Sequence, residues 1–167
     1  HAAELGIDPD RIVAGGGSAG GHIAAATASL STFDEEGEDT SVSCIPKALL
    51  LFNPVFDNGP DGFMHKLVQP YWKDISPIEH IDDQTPPTFV ALGTEDVYIP
   101  VETAKRFERL MKESGRRCDL HIYEGMKHGW YNLWVSRDAM ADTLIRMDRF
   151  LCSLGYLTGE PVLELKE

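Results

Sequence analysis

The chain has 167 residues, of which 43% are hydrophobic, 25% charged and 9% aromatic, a composition that supports one globular domain with a buried core. Against 27 Asp and Glu stand 15 Lys and Arg, a formal net charge of -12, so a basic surface for a nucleic-acid backbone has nothing to rest on. Nearly uncharged stretches such as residues 48–56 fall well short of the roughly 20 apolar residues of a membrane helix, so no membrane span and no signal peptide are visible.

The run His1-Ala-Ala-Glu-Leu-Gly6 reads as the last turns of a helix stopped by glycine, and a chain that opens inside a helix carries the expectation of further sequence upstream. Localisation is therefore left open. Residues 11–14 (RIVA) form a short strand leading into the glycine-rich run at residues 15–21, and residues 22–30 are Ala-rich and helical. The five acidic side chains in residues 33–39 suit a solvated loop. Residues 47–56 are a nearly continuous apolar run of the kind a strand buried on both faces requires, broken by Asn53-Pro54.

Residues 57–84 carry turn signals at Gly59-Pro60 and Ser76-Pro77 and a bulky group in Phe63, Met64, Tyr71 and Trp72, an excursion over a sheet rather than part of one. Residues 87–93 and 118–123 read as further strands and residues 101–114 as an amphipathic helix closed by Gly115. The last helix, residues 137–151, places Met140, Leu144, Met147 and Leu151 at three- and four-residue steps, before a tail from Gly155. Strands alternating with helices predict an α/β fold: a parallel sheet flanked by helices. The first strand lacks a predecessor to lie beside it, so the N-terminal half of the sheet is expected to be missing and the exposed edge to favour self-association.

Cys44, Cys118 and Cys152 are widely spaced, which gives neither a zinc site nor a disulfide framework. Chemistry in such sheets belongs to the loops after the strands' carboxyl ends. Gly16-Gly17-Ser18-Ala19-Gly20 fits G-x-S-x-G with a strand before and a helix after. That turn places the Ser18 hydroxyl at a helix N-terminus, where the Ala19 N–H can stabilise an oxyanion. The same letters spell G-x-G-x-x-G from Gly15 to Gly20. A dinucleotide fold, however, needs a second strand ending in an acid about 20 residues on, where this chain has its acidic loop. A phosphate loop fails for want of Gly-Lys-Ser/Thr.

A serine needs a base. Of six histidines, His128 is best placed, in the loop after the last strand. His22, four residues along the helix from Ser18, reads as a packing residue; His121 lies inside a strand; His1, His65 and His80 have no supporting context. The base in turn needs a carboxylate. Asp96, after residues 87–93, is the candidate; Glu95 should be solvated, and Asp57 is the competing acid. The order Ser18, Asp96, His128 is that of α/β-hydrolases.

With these residues, and with Ser76-Pro77 ahead of Pro86-Pro87, Gly-Thr-Glu-Asp96, and Tyr123-Glu-Gly followed by His128-Gly, the chain resembles the α/β-hydrolase superfamily. Within it the chain is similar to the esterase/lipase group related to hormone-sensitive lipase and the bacterial acetyl esterases. The family's His-Gly-Gly-Gly oxyanion loop and the first half of its eight-stranded sheet have no counterpart, so residues 1–167 resemble the C-terminal portion of one hydrolase domain. The resemblance implies Ser18 as nucleophile, His128 as general base and Asp96 as orienting acid. It further implies a small-molecule ester with a short acyl chain as substrate, and no metal or organic cofactor. Arylformamidase-like or serine-peptidase chemistry is the near alternative and a non-catalytic fragment the distant one. Phe63 to Trp72 and Trp130-Tyr131 could line the site, though packing is the expected role of each alone.

Overall fold

In the computed structural model, residues 1–30 and 32–163 are described. A four-residue helix, α1 (Ala2–Leu5), ends at Gly6 in the left-handed region and is followed by a 3-10 turn at Pro9–Arg11. The sheet is built from β1 (Val13–Gly17), β2 (Ala48–Phe52), β3 (Thr88–Gly93) and β4 (Cys118–Tyr123). Its spatial order is β1-β2-β3-β4 and all three pairings are parallel. This is the α/β arrangement read from the sequence. The crossovers contain α2 (Ala19–Ser29) between β1 and β2 and α5 (Val101–Glu113) between β3 and β4, and α6 (Arg137–Ser153) follows β4. Between β2 and β3 the excursion holds two single-turn helices, α3 (His65–Val68) and α4 (Trp72–Ile75), and a 3-10 turn at Pro77–Glu79.

Alternation along the strands divides the core between two faces. Leu49, Leu51 and Val90 point to one side, where Ala24, Ala25 and Ala28 of α2 and Phe107 and Met111 of α5 cover them. Ala48, Phe89 and Ala91 point to the other, beneath Ala139 and Phe150 of α6 and the fully buried Trp130. Phe56 and Phe107 stack with ring centroids 3.7 Å apart. Each buried side chain of this size contributes about 1.5–3 kcal/mol.

Two boundaries and one buried face differ from expectation. The first strand is not residues 11–14: Arg11 belongs to the preceding 3-10 turn, and β1 continues through Gly15, Gly16 and Gly17, paired with Leu50, Leu51 and Phe52. A ready-made partner strand overrides the poor intrinsic preference of glycine for strands. The following helix begins at Ala19 rather than at residue 22, since the His22 amide donates to the Ser18 carbonyl at 3.0 Å and draws Gly20 and Gly21 into the first turn. On α6 the buried side chains are Ala139, Thr143 and Phe150, and of the half-buried Met140, Leu144, Met147 and Leu151, Met147 and Leu151 pack against the buried cluster. Thr143 is buried because its hydroxyl is satisfied there, 2.7 Å from both the Ala139 carbonyl and the Tyr123 hydroxyl. Of the tail, residues 164–167 lie outside the described residues.

Candidate active site

The site is assembled where β1, β2 and β3 end side by side. Ser18 follows β1 directly and has φ 55 and ψ -120, a left-handed backbone that a side-chain-bearing residue adopts only under constraint. The constraint is the sharp reversal from strand to helix. A Cβ on Gly16 would run into the Gly20 carbonyl group, so no larger residue lets strand and helix approach this closely. Ser18 N–H donates to the Phe52 carbonyl at 2.9 Å, tying the turn to the end of β2. As the cap of α2, Ser18 stands before amides, that of Ala19 first, that have no acceptor within the helix and carry its positive dipole end.

Two loops bring the other groups to this hydroxyl. After β3 the chain turns through Thr94 and Glu95 to Asp96; after β4 it turns through Gly125 to His128. The loops are laced together: Glu95 N–H donates to the Met126 carbonyl at 2.9 Å, Thr94 N–H to the Tyr123 carbonyl at 3.0 Å and Gly125 N–H to the Thr94 hydroxyl at 2.8 Å. Across that junction His128 Nδ1 lies 2.8 Å from Asp96 Oδ2, and His128 Nε2 lies 2.9 Å from Ser18 Oγ. The Asp96 carboxyl is fully buried and the imidazole 22% exposed. Asp96 Oδ1 accepts from the amides of Tyr98 and Ile99 at 2.9 and 3.0 Å, bonds that favour the ionised carboxylate. An ionised carboxylate at Oδ2 can only accept, which matches the Nδ1–H tautomer of His128. His128 Nε2 is then the free acceptor facing the serine hydroxyl, the arrangement that general-base activation of a serine needs.

The fold thus brings together the three side chains singled out in the sequence and separates the alternatives. Asp57 accepts from Arg106 Nη1 at 3.0 Å and from the Gly59 amide at 2.7 Å, bracing the excursion against α5. Glu95 is exposed. His22 donates from Nε2 to the Ile75 carbonyl at 2.9 Å, and its burial holds its pKa below the usual value. His65 and His80 likewise bond backbone carbonyls, of Asn58 and Lys73, and His121 lies on β4 beside Phe89, its pKa lowered by burial and then by the Arg146 charge. Trp130 is core, against Tyr123 with centroids 4.2 Å apart, and not site lining.

Two neighbours of His128 carried no signal that the sequence reading used. Tyr98 meets the imidazole edge-on with centroids 5.0 Å apart and in turn meets Phe63 at 6.0 Å. Asn53, read only as a strand break, has φ 31 and places its amide nitrogen 3.2 and 3.4 Å from the two ring nitrogens. An open depression of about 650 Å³ lies over Thr94, Asp96, Val97, Tyr98, Lys127 and His128. Another cavity, of about 280 Å³, sits at the opposite ends of the strands near Thr27, Cys44 and Asp82 and touches none of the three. Among the described residues no group of His, Cys, Asp and Glu is placed to hold a metal ion, and no helix is long and apolar enough to cross a membrane.

Comparison with known proteins agrees with this fold. Residues 55–152 match the model of the prolyl oligopeptidase family, and residues 1–63 match a model described as the alpha/beta hydrolase fold. Esterase 2 of Thermogutta terrifontis is 39% identical and superposes with a TM-score of 0.88 over 96% of this chain and 61% of its own. The probable carboxylic ester hydrolase LipM of Mycobacterium tuberculosis is 30% identical over 92% of this chain and 40% of its own length. A probable isoprenylcysteine alpha-carbonyl methylesterase of Arabidopsis thaliana is 30% identical over 77% of this chain and 32% of its own. The chain therefore spans about a third to two-fifths of these curated relatives and three-fifths of the solved esterase.

Proposed function

The chain belongs to the α/β-hydrolase superfamily, its residues 55–152 to the prolyl oligopeptidase family, and from that premise we propose that it hydrolyses carboxylic esters through an acyl-serine intermediate. The observation that carries this reading is the unbroken relay from Asp96 Oδ2 to His128 Nδ1 at 2.8 Å and from His128 Nε2 to Ser18 Oγ at 2.9 Å. In the reaction, Ser18 Oγ attacks the acyl carbonyl carbon as His128 Nε2 takes its proton. Asp96 holds the Nδ1–H tautomer and stabilises the imidazolium. The tetrahedral oxyanion is met by the Ala19 N–H at the head of α2. Collapse expels the alcohol, which leaves with the proton from Nε2, and water activated by the same histidine then releases the acid.

We read residues 1–167 as the C-terminal portion of a single hydrolase domain. The second oxyanion donor and much of the acyl pocket then belong to the remainder of that domain. A short acyl chain fits the relatives: the Thermogutta terrifontis esterase has been solved with propionate and with butyrate bound. The match of residues 55–152 to the prolyl oligopeptidase family favours one other reading, an amide or peptide bond as the target of the same serine. A panel of p-nitrophenyl esters of increasing acyl length, with the matching anilides, assayed on the full protein separates the two. Ester turnover that falls with chain length and is lost in Ser18→Ala supports the first reading. Anilide turnover equal to or above that of the esters supports the second.

A further inference from the structure

The end of β2 holds a side chain that the hydrolytic relay does not account for. Asn53 directly follows the strand lying between those that deliver Ser18 and Asp96, and its amide donates to the Ala91 carbonyl at 2.8 Å, continuing the pairing with β3. It has φ 31 although it precedes Pro54, where the chain is ordinarily extended. Its side chain is fully buried. Oδ1 has no hydrogen-bond partner among the described residues, and Nδ2 lies 3.2 Å from His128 Nδ1 and 3.4 Å from Nε2.

Those two distances fix the direction of approach. An atom nearly equidistant from both ring nitrogens and lying in the ring plane would overlap the Cε1–H between them, so the amide sits out of the plane, against a face of the imidazole. The in-plane directions of Nδ1 and Nε2 stay with Asp96 and Ser18. Packing alone does not account for this choice of residue, because an apolar side chain would fill the space without burying an unpartnered oxygen. Strain in the backbone and an unsatisfied acceptor coincide at the one residue beneath the base.

We propose that Asn53 is a positioning residue for His128, its amide holding the ring in the single orientation that serves Asp96 and Ser18 together. This rests on the serine-hydrolase reading above. The ring hangs on a loop of turns between Tyr123 and α6 and could otherwise rotate about its Cβ–Cγ bond. The polar groups facing it are Asp96 and Tyr98 from the loop after β3, Ser18 from the head of α2 and Asn53 from the end of β2, with Glu95 and Lys127 at the exposed rim.

The test uses the full protein with Asn53→Gly and Asn53→Asp. Glycine adopts a positive φ freely, so the first variant deletes the amide without adding backbone strain. The expected result is a kcat lower by about 10- to 100-fold with KM within about threefold of the parent. Aspartate tolerates the same backbone, and its carboxylate against the ring would favour the protonated imidazole. The acidic limb of the kcat/KM profile should then move up by about one pH unit or more. A kcat for Asn53→Gly within about twofold of the parent, or an unmoved limb in Asn53→Asp, overturns the proposal. If Asn53→Gly fails to fold, the pH profile of Asn53→Asp decides alone. Ser18→Ala, run in parallel, tells the two levels apart: turnover that survives it refutes the hydrolase reading itself, whatever Asn53 does.

Discussion

The Met126 carbonyl oxygen lies against Gly93 so closely that a Cβ there would clash with it. Because Gly93 ends β3 three residues before Asp96, and Met126 precedes His128 by two, this contact sets how closely the acid and base loops approach. A methyl group there cannot be relieved by a rotamer change, since its neighbour is backbone. Gly93→Ala should therefore push the loops apart and lower kcat by about 100-fold, the scale of a displacement near 1 Å in a catalytic group. Steady-state kinetics with a thermal melt will check it. An unchanged kcat would mean that the relay tolerates the wider spacing.

Asp96 and Asp57, the two acids competing for His128 on sequence grounds, should separate sharply on substitution. Asp96→Asn removes the acceptor for the Nδ1 proton and favours the wrong tautomer, with an expected kcat loss of about 10⁴-fold, as in the serine-protease case. Asp57→Asn removes the charge opposite Arg106, which is 43% exposed and also bonds Glu79, while the remaining side-chain oxygen can still accept from the Gly59 amide. It should leave kcat within about threefold and cost about 1–3 kcal/mol of stability, because the Asp57 carboxyl is only 17% exposed and its pairing is partly screened on the Arg106 side. Kinetics and urea unfolding on both variants give the comparison.

His22 and His121 make the fold acid-sensitive. Burial holds both below their ordinary pKa, opposed at His22 by its bond to the Ile75 carbonyl and assisted at His121 by Arg146. The unfolded chain then binds more protons than the folded one. Their contribution to stability is intact above the unfolded value of about 6.5 and is lost as pH falls through the lower folded values. The urea midpoint should drop between about pH 7.5 and pH 5.5, and drop less in His22→Gln. An equal drop in that variant would assign the effect to other groups.

The 167-residue chain taken alone should self-associate. Among the described residues β1 is an edge strand paired only with β2, and nearby Ile12 is 49% exposed while Ile23 on α2 is 66% exposed. Unpaired strand groups beside apolar surface recruit further chains. Light scattering over a concentration series should show mass rising with concentration; a monomer at every concentration would contradict this.

How far the sequence carries such an account depends on whether a feature is local. Strands β2 and β3 are visible as apolar runs because a strand buried on both faces has few other compositions open to it. Strand β4, at the sheet edge, instead alternates Cys118, Leu120 and Ile122 with Asp119 and His121 and is mostly half-buried. The glycines of β1 and of the first turn of α2 carry no such mark: their structure comes from the ladder to β2 and from the elbow itself, neither of which is local. Ser18, Asp96 and His128 stand out because each follows a strand in the order expected of hydrolase loops. Asn53 follows one too. Its neighbour Pro54 makes it look like an ordinary break, and only the three-dimensional contact with a residue 75 positions away distinguishes it.

Covalent capture is the sharpest test of Ser18 as the nucleophile. The Thermogutta terrifontis esterase has been solved phosphorylated by paraoxon. The full protein should be incubated with paraoxon, weighed intact and mapped by peptide mass spectrometry, beside Ser18→Ala and His128→Ala. One diethylphosphoryl group on Ser18 is predicted, absent from Ser18→Ala and formed far more slowly in His128→Ala. A protein that hydrolyses esters yet carries the adduct on another residue, or is labelled equally well without Ser18, would contradict the account.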